Sequence, residues 1–459
     1  MAKPAPFPEQ AVDSLRARVN GAVLTPGDAD YAKECAGFNT AVAHTPRIVV
    51  VARAVEDVVE GVRFARAHGL EVRVQGAGHG DVPIASGLLI STRRLDGVRV
   101  DPGAKLAVVG AGARWGAVIA RASEHELAPI SGSSSTVGVV GLVLGGGLGP
   151  LARSHGFASD YVVGATVVTA SGDVLEVDAE RHADLFWAFR GGKGGFGVVT
   201  EVRLRLVPLR TLYGGSLFFD TAHMETAFRA WVSFTERAPA LVTTSVVLAR
   251  FPARDALPPP LRGRRLLVLR FAYPGDGAEG ARLAAPLRAA APVYLDHLAE
   301  MPAADVARIH NDPTDPLPSS VRAFMLSHVD QTLAGVLFEH LGPTKDTPFA
   351  IAELRHLGEA TRRDVPGGSA VGGRESSFTL TCISTDPTLF ETAVPKAGDA
   401  LVQDLASFRS PHDNVNFLAP VRSAADLKSA WSAATLSRLT EIRRRYDPEG
   451  LFAVGYQQA

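Results

Sequence analysis

The stretch Val72-Arg73-Val74-Gln75-Gly76-Ala77-Gly78-His79-Gly80-Asp81 sets a histidine among glycines directly after an apolar strand signal. Glycine lets a backbone approach a ligand closely and take φ > 0 turns, as a loop wrapped around a pyrophosphate requires. A second glycine-rich stretch runs from Ser131 to Gly149 and contains Ser133, Ser134, Ser135, Val137, Gly138, Gly141 and Gly147. Its hydroxyls and free backbone amides make a surface against which a phosphate or a planar ring can lie. A third runs from Arg190 to Thr200 and holds Lys193 and Val199. A nucleotide-binding P-loop needs a hydroxyl after its lysine, and here Gly194 follows; nor does a G-x-G-x-x-G open a helix after the first strand.

These loops need elements to hold them. Arg47 to Ala52 is β-branched and bounded by Pro46, Glu56 to His68 carries Val58, Val59, Val62 and Ala65 at helical spacing, and Glu71 to Gln75 returns as a strand. This β-α-β unit delivers His79 at a strand's C-terminal end, where α/β folds hold ligands. Further strands are expected at Leu88–Ser91, 105–109 and 201–207, with a helix over 115–126. In Ala352-Glu353-Leu354-Arg355-His356, period-two alternation sends Glu353 and Arg355 to one face. That face holds either a proton-accepting carboxylate with its cationic partner or an ordinary ion pair. Residues 303–320 form a proline-rich link, either a cover over a site or a flexible connection.

At 459 residues the chain predicts two or more domains. Its 48 acidic and 47 basic residues nearly cancel, which argues against nucleic acid or an acidic membrane surface as partner. Apolar runs such as Val137 to Leu144 fall far short of the ~20 residues that span a bilayer. The proline- and charge-bearing start is unlike a secretion signal, and a cytoplasmic location is expected. Cys35 and Cys382 alone make no disulfide framework or cysteine zinc site. His44, His125, His155, His182 and His412 lack metal-ligand spacing, so no metal is expected.

The loops, in order with His155 to Asp160, Gly164 to Asp173, Asp184 to Gly191 and Phe196 to Glu201, resemble the FAD-binding domain of the vanillyl-alcohol oxidase superfamily (PCMH type) over about residues 40 to 210. Within it the chain is similar to the group of berberine-bridge-enzyme-like and 6-hydroxynicotine-oxidase-like proteins. Asn414-Val415-Asn416-Phe417 and Tyr446 to Phe452 are similar to that group's C-terminal segment. The resemblance implies an α+β fold: an FAD-binding domain at 1–210, an inserted substrate domain at 211–410 with an antiparallel sheet covered by helices, and a segment at 411–459 returning to the first domain.

It further implies FAD bound covalently through an 8α link to His79, with Gln75, Gly76, Ala77, Gly78, Gly80, the serine-rich stretch, Val199 and Asn416 around the cofactor. Gln75 and Ala77 stand where arginine and glycine are common, which removes a charge. Ser134 stands where many relatives carry a second, cysteinyl link, so a single bond is expected. Val137 matches the position that gates oxygen. The catalytic candidates are Glu353, Arg355 and Tyr456, since Asn414 replaces the tyrosine that acts in some relatives. The reading is an oxidase that passes electrons from a small alcohol, phenolic or polyketide-like substrate of bacterial secondary metabolism to O2. Its alternatives are an oxygenase or cyclase on the same scaffold, or a flavin-binding protein without turnover.

Overall fold

The computed structural model describes residues 7–80, 83–84, 86–419, 421 and 424–452. Its α+β architecture rests on three main sheets. In the first, Ile48–Val51, Leu88–Ser91 and Val72–Gln75 run parallel, with Leu88–Ser91 between the other two, and Ala22–Leu24 pairs antiparallel at the edge. Ile48, Val49, Val50, Leu88, Leu89 and Ile90 are almost wholly buried, as continuous apolar runs in a covered parallel sheet must be. The helix Val55–Ala67 makes the crossover and buries Val58, Val62 and Ala65. The predicted β-α-β unit therefore forms, with a later strand inserted at its centre.

The second sheet is antiparallel, in the order Val98–Asp101, Leu106–Gly110, Val198–Arg205, Val162–Val168, Val174–Val177. The third is a large antiparallel sheet built between residues 211 and 384. Its central strands are Arg265–Tyr273, Thr243–Arg250, Ile351–His356 and Phe378–Ser384. One face buries Val246, Leu248, Leu267, Leu269, Leu354 and Leu380 against helices that include Met224–Thr235 and Gln331–Leu341. Asp276 and Asp330 cap two of the covering helices by accepting amide hydrogens from the first turn.

The opposite face changes character along its length. One end is apolar around Val247, Ala249 and Val268. The other presents Ser245, Arg270, Glu353 and Arg355 toward the segment Leu148–Ala152. From the helix Ala152–His155, the buried Arg153 clamps the sheet to this segment. It donates to the carbonyls of Val242 at 2.8 Å and Leu357 at 2.5 Å, and meets His356 Nε2 at 2.9 Å.

The chain's last described residues return to the first sheet. Val72 N donates to Leu451 O at 2.8 Å, and the Asp447 carboxylate accepts from the amides of Leu451 and Phe452. No helix among the described residues is long and apolar enough to cross a membrane.

Candidate functional site

His79 ends the loop after Val72–Gln75. Its ring stacks on Phe38 with centroids 4.1 Å apart, and its Nε2 lies 3.3 Å from Thr136 Oγ1 in the serine-rich stretch. Burial, aided by nearby Arg114, pushes the imidazole down to about 4, so it is neutral at physiological pH. The loop needs its glycines: Gly78 has φ +77° and accepts the Phe38 amide, and a Cβ at Gly76 would lie 3.0 Å from Ala111 O. Ala77 packs against Gly138, where an added Cβ would lie 3.2 Å away, whereas Gly80 faces open space. Gln75 is buried; its Nε2 donates to Ala36 O, and its Oε1 has no partner among the described residues. The Arg93 guanidinium lies against the same loop and donates to Gly76 O and Ala36 O.

The second stretch turns at Gly138 into the short helix Val139–Val143. Ser134 and Thr136 share a hydroxyl contact of 3.0 Å, Ser135 O accepts from Gly116, and Val137 is half-buried. Gly141 faces open space on the same helix. Gly147 and Val199 are held by packing: Gly147 has φ +86° with Leu142 and Ala158 close by, and Val199 is buried in the second sheet. Asn416 reaches this helix from the C-terminal segment and donates to Leu142 O at 2.8 Å. The Lys193 ammonium donates to Asn416 Oδ1 at 2.6 Å and to Gly141 O at 3.0 Å. Asn414 is buried and holds that segment through Gly372 O and the Asn416 amide.

Across the serines lies the polar end of the large sheet. Glu353 is buried, and its carboxylate accepts from Arg270, from Arg355 at 2.9 Å and from Ser245 Oγ at 3.0 Å. Burial alone would raise its pKa, but Arg355 and Arg270 prevail and hold it well below the usual carboxylate range. A carboxylate so paired favours anchoring over proton acceptance, the less chemical of the two roles its strand face allowed. Arg355 also meets Ser133 Oγ at 3.4 Å and lies over the Phe417 ring. Tyr456 lies outside the described residues.

Residues that sequence reasoning passed over complete the site. Ser133 Oγ donates to Asp312 at 2.8 Å, and His310 Nε2 lies 3.5 Å from Glu353 Oε1. His310 is buried with neither ring nitrogen hydrogen-bonded among the described residues, and burial holds it neutral. It lines a cavity of about 10 Å³ with Ser245, Arg270 and Arg355, room for about one water. From there the proline-rich link continues to Leu317 and Ser319, which pair with the Phe38–Thr40 backbone and the Asn39 side chain. It thus crosses from the large sheet to the ring stacked on His79. Composition marked this link only as irregular, and partners as far as 280 residues away gave no local signal.

The fit to a flavin nucleotide rests on three local features: the unpartnered Gln75 Oε1, the open faces of Gly80 and Gly141, and a neutral imidazole whose lone pair is available for a bond to carbon.

Residues 46–178 match the family model described as an FAD binding domain. The (R)-6-hydroxynicotine oxidase of Paenarthrobacter nicotinovorans is 34% identical over 213 residues, covering 46% of each chain. An FAD-dependent monooxygenase of Fusarium proliferatum is 39% identical over 174 residues, 37% of this chain and 34% of that one. The chain thus spans less than half the length of these curated relatives. The whole fold is similar to that of 6-hydroxy-D-nicotine oxidase from Arthrobacter nicotinovorans, with a TM-score of 0.83 at 22% identity, covering 96% of this chain and 98% of that one. A carbohydrate oxidase from Microdochium nivale gives 0.81 at 19% identity, covering 97% and 98%.

Proposed function

We propose, from the premise that residues 46–178 match the family model described as an FAD binding domain, that the protein is an FAD-dependent oxidase of a small organic molecule. In this reading residues 1–210 and the returning segment 411–459 hold the cofactor, and 211–410 supply the substrate face. The observation that carries it is the convergence of a neutral, glycine-cradled His79 and the Arg355–Glu353 pair on opposite ends of one serine strip, Ser133 to Thr136. FAD, held by the His79 loop, the serine strip, Gly141 and Asn416, would accept the substrate's two electrons and pass them to O2.

His79 carries a single covalent link, since Ser134 has no thiol for a second. Arg355, fixed by Glu353, orients a substrate oxygen. His310 is neutral, and with Nε2 turned toward Glu353 its Nδ1 is the nitrogen that can accept a proton, Glu353 stabilising the cation that results. Tyr456, a phenol, is a second candidate for that role. The link through Asp312 and Leu317 covers the strip between Ser133 and Phe38. An alcohol, phenol or polyketide-like compound of bacterial secondary metabolism suits one cation and one neutral base.

The test is anaerobic mixing with candidate alcohols and phenols, followed by admission of O2. Bleaching of the flavin and then one peroxide per substrate are expected. A flavin that no candidate reduces favours a binding protein instead. The likeness to a monooxygenase supports a second reading, which labelled O2 appearing in the product would select.

The half-buried Val137 gives a further expectation. Val137→Leu should slow reoxidation by air at least about fivefold while leaving anaerobic reduction within twofold. Equal reoxidation in both proteins assigns Val137 to packing alone.

A further inference from the structure

Lys193 is a lysine where the chain has every reason to place glycine. It stands between Gly191-Gly192 and Gly194-Gly195, and its backbone is left-handed at φ +67°. That conformation is nearly free for glycine and strained for a long side chain. Strain of this kind persists where the side chain is used.

The side chain leads into the candidate cofactor site. The loop is held in place by the Gly191 and Lys193 amides, both donating to Leu144 O at the end of the helix Val139–Val143. From there the ammonium reaches Gly141 O and Asn416 Oδ1, and both acceptors are uncharged. An ammonium has three donors, so one remains without an acceptor among the described residues. The side chain is half-buried, which pushes its protonation down to about 8, and no carboxylate pairs with it among the described residues. Withdrawing a cation even partly from water without an opposing charge has a cost, and a bound anion offsets it.

We infer that Lys193 is the cation that stabilises the negative charge gained by the bound flavin on reduction, acting as a positioning and electrostatic residue at the Gly141–Asn416 side of the cofactor. The inference rests on the FAD reading above. The pyrophosphate of the same cofactor is the other anion within this chemistry, and the two make different demands. A cation for the pyrophosphate strengthens binding of oxidised and reduced cofactor alike. A cation for the reduced ring shifts the reduction equilibrium.

The deciding experiment is the midpoint potential of the bound flavin, measured by dye equilibration in wild type, Lys193→Met, Lys193→Gly and Lys193→Arg. A unit charge about 10 Å away at an effective dielectric near 20 changes such an equilibrium by more than about tenfold. Loss of the charge should therefore lower the equilibrium constant for reduction by at least about tenfold, about 30 mV for two electrons. Lys193→Arg should stay within about threefold of wild type. Lys193→Gly relieves the backbone strain, so its stability should equal or exceed that of wild type while its potential falls as that of Lys193→Met does. This variant separates charge from folding. Unchanged potentials in the Met and Gly variants overturn the inference, and so does an unchanged potential with weaker FAD retention when the same changes are made in the His79→Ala background, where no bond holds the cofactor, which assigns Lys193 to the pyrophosphate. A protein that takes up no FAD overturns the FAD reading and this inference together.

Discussion

His79→Ala should turn a protein that keeps its yellow colour through acid precipitation into one that loses it. In the folded chain the imidazole is neutral, stacked on Phe38 and pointed toward Thr136, so its ring is both fixed and nucleophilic. Alanine removes the imidazole, the one nucleophilic side chain among the described residues of the loop. The expected outcome is complete loss of denaturation-resistant flavin, with folding retained because the loop's turns belong to Gly76 and Gly78. Peptide mass spectrometry of wild type should find flavin on the peptide containing His79 and nowhere else. Flavin released entirely from wild type by precipitation rejects the covalent link, and flavin on a Cys35 or Cys382 peptide rejects the single attachment.

The second large effect is expected at Glu353. Its carboxylate sits between two guanidiniums in the sheet, and Glu353→Gln leaves both without their counter-charge. Breaking a buried pair in this way costs about 3–5 kcal/mol. On that scale the unfolding midpoint should fall on the order of 10 °C. Replacing Arg270 by Met in the same protein should recover much of that loss.

Activity should not recover with it, because Arg355 and His310 still lack their shared anion. Anaerobic flavin reduction should be slowed by at least about tenfold in both variants, at the low end of what acid–base groups contribute. Recovery of reduction along with stability assigns Glu353 to folding only. The pH response has a definite sign. A carboxyl whose folded pKa lies below the unfolded value of about 4.3 stabilises fully above that value, and the stabilisation is lost as pH falls toward the folded pKa. Wild type should therefore lose stability below about pH 5 more steeply than Glu353→Gln, and parallel acid curves would exclude this contribution.

The architecture and half of the site were legible in the amino-acid order because they obey local rules. The run Ile48–Val51, the helical spacing of Val58, Val62 and Ala65 and the glycines around His79 each state a short-range requirement, and each element formed within a residue or two of its expected place. The alternation in Ile351–His356 likewise put Glu353 and Arg355 on one face.

Which groups meet that face was decided by pairing between distant strands. Arg270 and Ser245 reach Glu353 because Ser245 stands in register with both Arg270 and Arg355, and register has no local code. His310 and Asp312 come from a link whose composition says only that it is irregular, and Arg93 reaches the carbonyl of Gly76 from beyond the next strand. Lys193 showed as a failed phosphate loop in sequence, and only the approach of Asn416 across 223 residues gives its charge a place. The chain by itself thus determined the cradle, since close approach and strand period are properties of neighbours. The tertiary structure alone decided the electrostatics, because charges act through space and the sequence orders them only along the chain.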